Sequence, residues 1–108
     1  MTKALRNEAD RITKLLVKKY KPEKVVLFGS VARNEDTNNS DLDIFIIKKT
    51  KKGFFDRLAE IEGIVKTDYP LDIIVMTPPE LDKAIREKRV FIQQVFKYGK
   101  ILYDSYAQ

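Results

Sequence analysis

The chain contains neither cysteine nor histidine. Without cysteine there are no disulfides, no thiolate nucleophile and no cysteine-bound zinc or iron-sulfur centre. Without histidine there is no Ser-His-Asp triad, no His-Glu-x-x-His zinc site and no imidazole base working near neutral pH. Catalysis in such a chain rests on Asp, Glu, Lys, Arg, Tyr, Ser or Thr. A metal site rests on carboxylates, which favours hard cations such as magnesium or manganese. Long apolar runs are missing too: none approaches the roughly twenty residues that span a bilayer, and the N-terminus MTKALRNEADR is polar where a secretory signal is apolar. The expectation is a cytoplasmic protein with no membrane partner. No internal repeat, low-complexity segment or linker interrupts the chain, so its 108 residues are expected to form one domain, 1–108.

What is present is an ordinary globular composition, 44% hydrophobic and 34% charged, which excludes a disordered chain. The net charge is +5, partly gathered at Lys18, Lys19, Lys21 and Lys24 and again at Lys48, Lys49, Lys51 and Lys52. Attraction to phosphate-bearing partners follows from that sign. The first run holds a single aromatic, Tyr20, and the second none, so both read as solvated surface rather than as a direct nucleic-acid interface.

Periodicity predicts an amphipathic helix over residues 3–20, with Leu5, Ala9, Ile12 and Leu16 on its apolar face, ending before Pro22. Lys24 to Phe28 reads as a buried strand closed by Gly29-Ser30, and Val31 to Arg33 as one turn of helix. The polar stretch 34–40 reads as a loop, and Leu42 to Ile47, apolar on both faces, as a central strand. A second amphipathic helix carries Phe54, Leu58, Ile61 and Val65, and Leu71 to Met76 forms a third strand. Thr77-Pro-Pro-Glu80 is a helix start with a threonine cap and a capping-box glutamate. Helical spacing continues through Phe91, Val95 and Tyr98, with a break near Lys88, a C-cap at Gly99 and a short edge strand at Ile101 to Tyr103. This order predicts an α/β (α+β) fold, a small mixed sheet with helices packed on it.

The chemistry concentrates in residues 25–47. Asp41 and Asp43 flank Leu42 at a strand entrance, where the two-residue period points both carboxylates to one face. Two such anions repel one another unless they are solvated, protonated or bridged by a cation. Asp72 stands one residue into PLDIIV much as Asp43 stands in SDLDIFI. If those strands are parallel neighbours joined by a right-handed helical crossover, all three carboxylates meet at one end of the sheet. Three convergent carboxylates can hold two divalent ions about 4 Å apart for in-line phosphoryl or nucleotidyl displacement. Gly29 lets the backbone approach a phosphate, and Ser30 and Arg33 supply a hydroxyl and a fixed cation for its oxygens. Singly, Gly-Ser is a turn, Asp-x-Asp a loop feature and Asp72 a strand cap or lysine partner. Jointly, in a chain without histidine or cysteine, they describe a site.

The pattern Gly29-Ser30, ten intervening residues, then Asp41-Leu42-Asp43 resembles the signature of the minimal nucleotidyltransferase (MNT) family within the DNA polymerase β nucleotidyltransferase superfamily. The flanking Leu-Phe-Gly-Ser-Val-Ala-Arg and Ser-Asp-Leu-Asp-Ile, and Asp72 as third carboxylate, carry the same resemblance, although Asn34 stands where the family usually has a small residue. The resemblance implies a polymerase β palm-like fold and transfer of AMP from ATP to a hydroxyl with release of pyrophosphate. It implies two magnesium ions, or manganese, held by Asp41, Asp43 and Asp72, with Asp72 also placed to accept the hydroxyl proton, and a nucleoside triphosphate held by Gly29, Ser30 and Arg33. Small members are frequently paired with a HEPN-domain toxin, which characterised ones adenylylate on tyrosine, and the resemblance implies the same antitoxin role and partner here. A chain this short has little room for an acceptor-binding domain, which fits a partner protein, and Phe91, Phe96, Tyr98 and Tyr103 are candidates for that interface or for the core. The competing readings are an antitoxin acting by contact alone, and a nucleotidyltransferase acting on RNA or a small molecule.

Overall fold

A computed structural model describes residues 1–35 and 40–107. Helix α1 (Lys3–Lys19) starts where the Thr2 hydroxyl accepts the Leu5 amide at 3.2 Å, and its apolar stripe Leu5, Ala9, Ile12 and Leu16 is buried. Strand β1 (Lys24–Phe28) leads without a gap into α2 (Gly29–Ala32), and β2 (Leu42–Ile47) follows. Then come α3 (Phe54–Glu62), β3 (Leu71–Met76), α4 (Pro78–Arg86), α5 (Val90–Tyr98) and β4 (Lys100–Asp104). Among the described residues no helix is long and apolar enough to cross a membrane.

The four strands lie in the order β3-β2-β1-β4, with β1 antiparallel to both β2 and β4 and with β2 parallel to β3. The doubly apolar β2 is therefore central, as its composition predicts, and α3 is the crossover that the parallel pair requires. Side chains alternate between two cores. Leu42, Ile44 and Ile46 join α1 on one face, while Phe45 and Ile47 join Ala84, Ile92 and Val95 of α4 and α5 on the other.

Several boundaries differ from the sequence reading. The single turn expected at 31–33 begins two residues earlier, at Gly29, which is itself in the left-handed region at φ 74°. Most of the expected loop at 34–40 lies outside the described residues. Phe54, expected on the buried stripe of α3, is 55% exposed, and Arg57 is buried in its stead. The guanidinium explains this inversion. It donates to Lys52 O at 2.7 Å and Val75 O at 3.1 Å and forks onto Glu80 at 2.7 and 3.3 Å, tying α3, β3 and the start of α4 together. Glu80 also completes the capping box with Thr77. The break near Lys88 is a residue at φ 54° between α4 and α5.

Gly99 caps α5 in an extended rather than a left-handed conformation, at φ −70°. Glycine is needed there for another reason: a Cβ would lie 2.2 Å from Val95 O. Of the four C-terminal aromatics expected at an interface or in the core, Phe91, Phe96 and Tyr98 are exposed and Tyr103 packs against the α1-side core. Phe91 and Phe96 are instead held edge-to-face, by Phe28 at 5.4 Å and Phe45 at 5.9 Å.

Candidate active site

The sheet register assembles the site. Asp43 of β2 pairs with Phe28 of β1 on one side and with Asp72 of β3 on the other. Because Asp43 alternates with Leu42 and Ile44, it points to the α4/α5 face, at the end of the sheet those helices leave open. Asp43 is half-buried there, whereas Asp41 and Asp72 are exposed.

Asp43 and Asp72 share a hydrogen bond, and the Asp43 carboxyl is pushed up to about 6. Burial is the main cause, followed by the charge of Asp72, that hydrogen bond and the charge of Asp41, while Arg33 pulls the other way. Asp43 thus holds a proton more readily than an ordinary aspartate, as expected of an anion facing another in direct register. Asp41 acts on Asp43 through its charge alone. Among the described residues no three acidic side chains are gathered tightly enough to enclose a metal ion as they stand.

Gly29 is the second fixed point. A Cβ built on it would lie 2.0 Å from Asp43 Oδ2, so the absence of a side chain here makes room for the carboxylate. Its positive φ adds an independent demand for glycine. The sequence reading assigns Gly29 only to phosphate approach; its contact with Asp43 follows from the β1/β2 register and could have been found by counting back the antiparallel pairs. Ser30 follows in α2, half-buried, and Arg33 at the end of that turn is exposed and paired with Glu35 at 3.2 Å.

A cavity of about 200 Å³ adjoins Gly29 and Arg33 and is closed by Phe28 and by Phe91, Gln94 and Tyr98 of α5. Sequence reasoning missed it, because α5 reaches the site through long-range packing, of Ile92 and Val95 on β1 and β2 and of Phe91 on Phe28. A larger hollow of about 750 Å³, beside Glu8, Arg11 and Thr67, lies on the α1/α3 side of the sheet, and much of its polar lining is bonded to itself. Size alone does not single out the site; the convergent carboxylates and the glycine do.

Known proteins share much of this sequence and fold. A protein of Methanocaldococcus jannaschii named as a candidate protein adenylyltransferase is 35% identical over 85 residues, covering 73% of this chain and 85% of its own length. A second such protein from the same organism is 32% identical over 84 residues with the same coverage. Among solved structures, a candidate nucleotidyltransferase from Sulfolobus solfataricus superposes with a TM-score of 0.67 at 23% identity, over 94% of this chain and 81% of that one, and shares its fold. A toxin-antitoxin structure with AMP-PNP superposes with a TM-score of 0.60 at 28% identity, over 91% of this chain and 73% of that one. The profile of the family described as polymerase beta, nucleotidyltransferase matches residues 10–108. With that match across nearly the whole chain, and a mixed sheet that sets Gly29 against Asp43 and Asp43 against Asp72, the chain belongs to the polymerase beta nucleotidyltransferase family and is a nucleotidyltransferase.

Proposed function

We propose that the chain transfers AMP from ATP to a tyrosine hydroxyl of a HEPN-type toxin partner, releasing pyrophosphate, and so acts as an antitoxin. The observation that carries this reading is the facing pair Asp43 and Asp72, seated in register beside Gly29. Two carboxylates in direct register, one of them half-buried, are a donor set suited to magnesium or manganese, both hard, oxygen-seeking cations. Asp41, Asp43 and Asp72 would hold the metal, Asp41 by turning inward from the strand entrance. When bound, the metal neutralises charge on the triphosphate and the departing pyrophosphate.

The chain's own residues do the rest. The Gly29 backbone and the Ser30 hydroxyl hold phosphate oxygens, and Arg33, released from Glu35, adds a fixed cation. Asp72, exposed at the sheet edge, is the carboxylate an incoming hydroxyl reaches first, and it takes that hydroxyl's proton. The acceptor oxygen then bonds to the α-phosphorus as the bond to pyrophosphate breaks. Most of the rate comes from alignment and charge neutralisation. The relatives named as protein adenylyltransferases and the toxin-antitoxin neighbour support a protein acceptor.

The test uses α-labelled ATP, magnesium and a HEPN-type toxin as acceptor. Label should appear on a partner tyrosine and should vanish with the double substitution Asp41→Asn and Asp43→Asn. Undiminished labelling by the double variant would sink the proposal. A second reading, neutralisation by contact alone, draws on the exposed Phe96 and Ile101, and under it the double variant still silences the toxin.

A further inference from the structure

The cavity beside Gly29 has two walls of different chemistry. One is Phe28, Gly29 and Arg33, which it shares with the proposed phosphate site. The other is a single face of α5, since Phe91, Gln94 and Tyr98 recur at three- and four-residue steps. Phe91 is 40% exposed and held in place by the edge of its contact with Phe28, the rings lying at 89°. Between the two aromatic residues of α5, Gln94 offers a planar amide with both a donor and an acceptor. An aromatic platform beside one such amide, opening onto a phosphate site, has the chemistry of a nucleobase seat. Bases stack on aromatic rings whatever their identity. A glutamine amide pairs bidentately with the N6 donor and N7 acceptor of adenine, where the same edge of guanine presents two acceptors.

Position separates this seat from the acceptor's. The cavity lies on the β1 side of Asp43, while Asp72 lies on the β3 side, at the exposed sheet edge. A nucleotide spanning β1 and β2 leaves the β3 side open to the attacking hydroxyl, opposite the departing pyrophosphate as in-line displacement requires.

We propose that this cavity is the nucleobase subsite, with Phe91 as its stacking platform and Gln94 as the residue that selects adenine over guanine. The inference rests on the nucleotidyl-transfer reading above, and it assigns the base-binding role to α5.

Calorimetric titration of the full chain with the magnesium complexes of ATP, GTP and inorganic tripolyphosphate tests it. The wild type should bind ATP about 10-fold or more tighter than either competitor. Gln94→Ala should bring ATP down to the GTP level, and Phe91→Ala should bring both nucleotides towards tripolyphosphate, whose affinity stays unchanged in both variants. Equal ATP and GTP affinities in the wild type, or ATP binding indifferent to both substitutions, would overturn the subsite while tripolyphosphate binding left the phosphate site standing. A higher KM for the protein acceptor with unaltered ATP affinity in Phe91→Ala would overturn it in favour of an acceptor seat. If the wild type binds none of the three, the transfer reading falls and the subsite with it. Should Phe91→Ala fail to fold, the exposed Gln94→Ala decides alone.

Discussion

Strands β2 and β3 begin with the same three residues, Leu-Asp-Ile, and lie side by side in register, yet the two aspartates live in different surroundings. In β2 every residue but Asp43 is buried, and Asp43 is wedged between Phe28, Gly29 and Asp72. In β3 only Val75 is fully buried and Asp72 is exposed. The difference comes from place in the sheet. A central strand has neighbours on both sides, whereas β3 is an edge, fastened to the body by α3, by the Arg57 fork and by the segment before it. Burial makes the Asp43 carboxyl sensitive to every charge nearby. Exposure leaves Asp72 open to solvent. One motif thereby supplies two chemically distinct groups to the candidate site.

The two strands should respond differently to substitution. The largest effect expected is on catalysis: Asp72→Asn should slow nucleotidyl transfer by about 10³-fold, with ATP binding weakened far less, in single-turnover assays. Next, Gly29→Ala should disturb the β2 side alone, because the new Cβ collides with Asp43 and the backbone sits at positive φ. It should lower stability by about 1–2 kcal/mol in urea unfolding, and transfer should fall with it. A smaller effect runs the opposite way. Removing a repelled charge should stabilise the metal-free protein, by roughly 1 kcal/mol for Asp43→Asn once the shift is discounted for partial solvent exposure, and by less for the exposed Asp72→Asn. Melting temperatures in chelator check the order.

The smallest effect concerns how β3 is moored. Glu8 of α1 bonds Arg11, which donates to Lys66 O at 2.7 Å, and accepts the Thr67 hydroxyl, so it grips the segment leading into β3. The hydrogen bond from Arg11, then the one from Thr67, holds the Glu8 carboxyl at about 2, below its ordinary 4.5, against the opposing effect of burial. A carboxylate with a depressed value in the folded state stabilises above its unfolded value and loses that contribution as pH falls. Glu8→Gln should therefore match the wild type near pH 2 and be the less stable of the two above pH 4.5, the gap opening between those values in denaturant titrations.

Much of this was legible in the sequence, for identifiable reasons. Beta-branched runs and two-residue periods give β1, β2 and β3 to the residue, and the capping box at Thr77 marks the start of α4. The Gly29-Ser30 and Asp41-Leu42-Asp43 spacing points to nucleotidyl transfer through its resemblance to the family signature. What stayed hidden depends on long-range packing. A buried Arg57 contradicts any reading by polarity, since its burial relies on two carbonyls and on Glu80, 23 residues away. Phe91, Gln94 and Tyr98 lie at helical spacing, and nothing local says that this face looks toward Gly29.

The contrast between the strands turns on Asp43, and the decisive measurement is transfer of label from α-labelled ATP to the partner protein by Asp43→Asn beside the wild type, with both melting temperatures recorded. An asparagine side chain should fit the space the carboxylate occupies, so the variant should fold, melt higher than the wild type without metal, and transfer label at least about 10³-fold more slowly. A folded Asp43→Asn protein that still labels its partner at the wild-type rate would contradict the assignment of this site to nucleotidyl transfer.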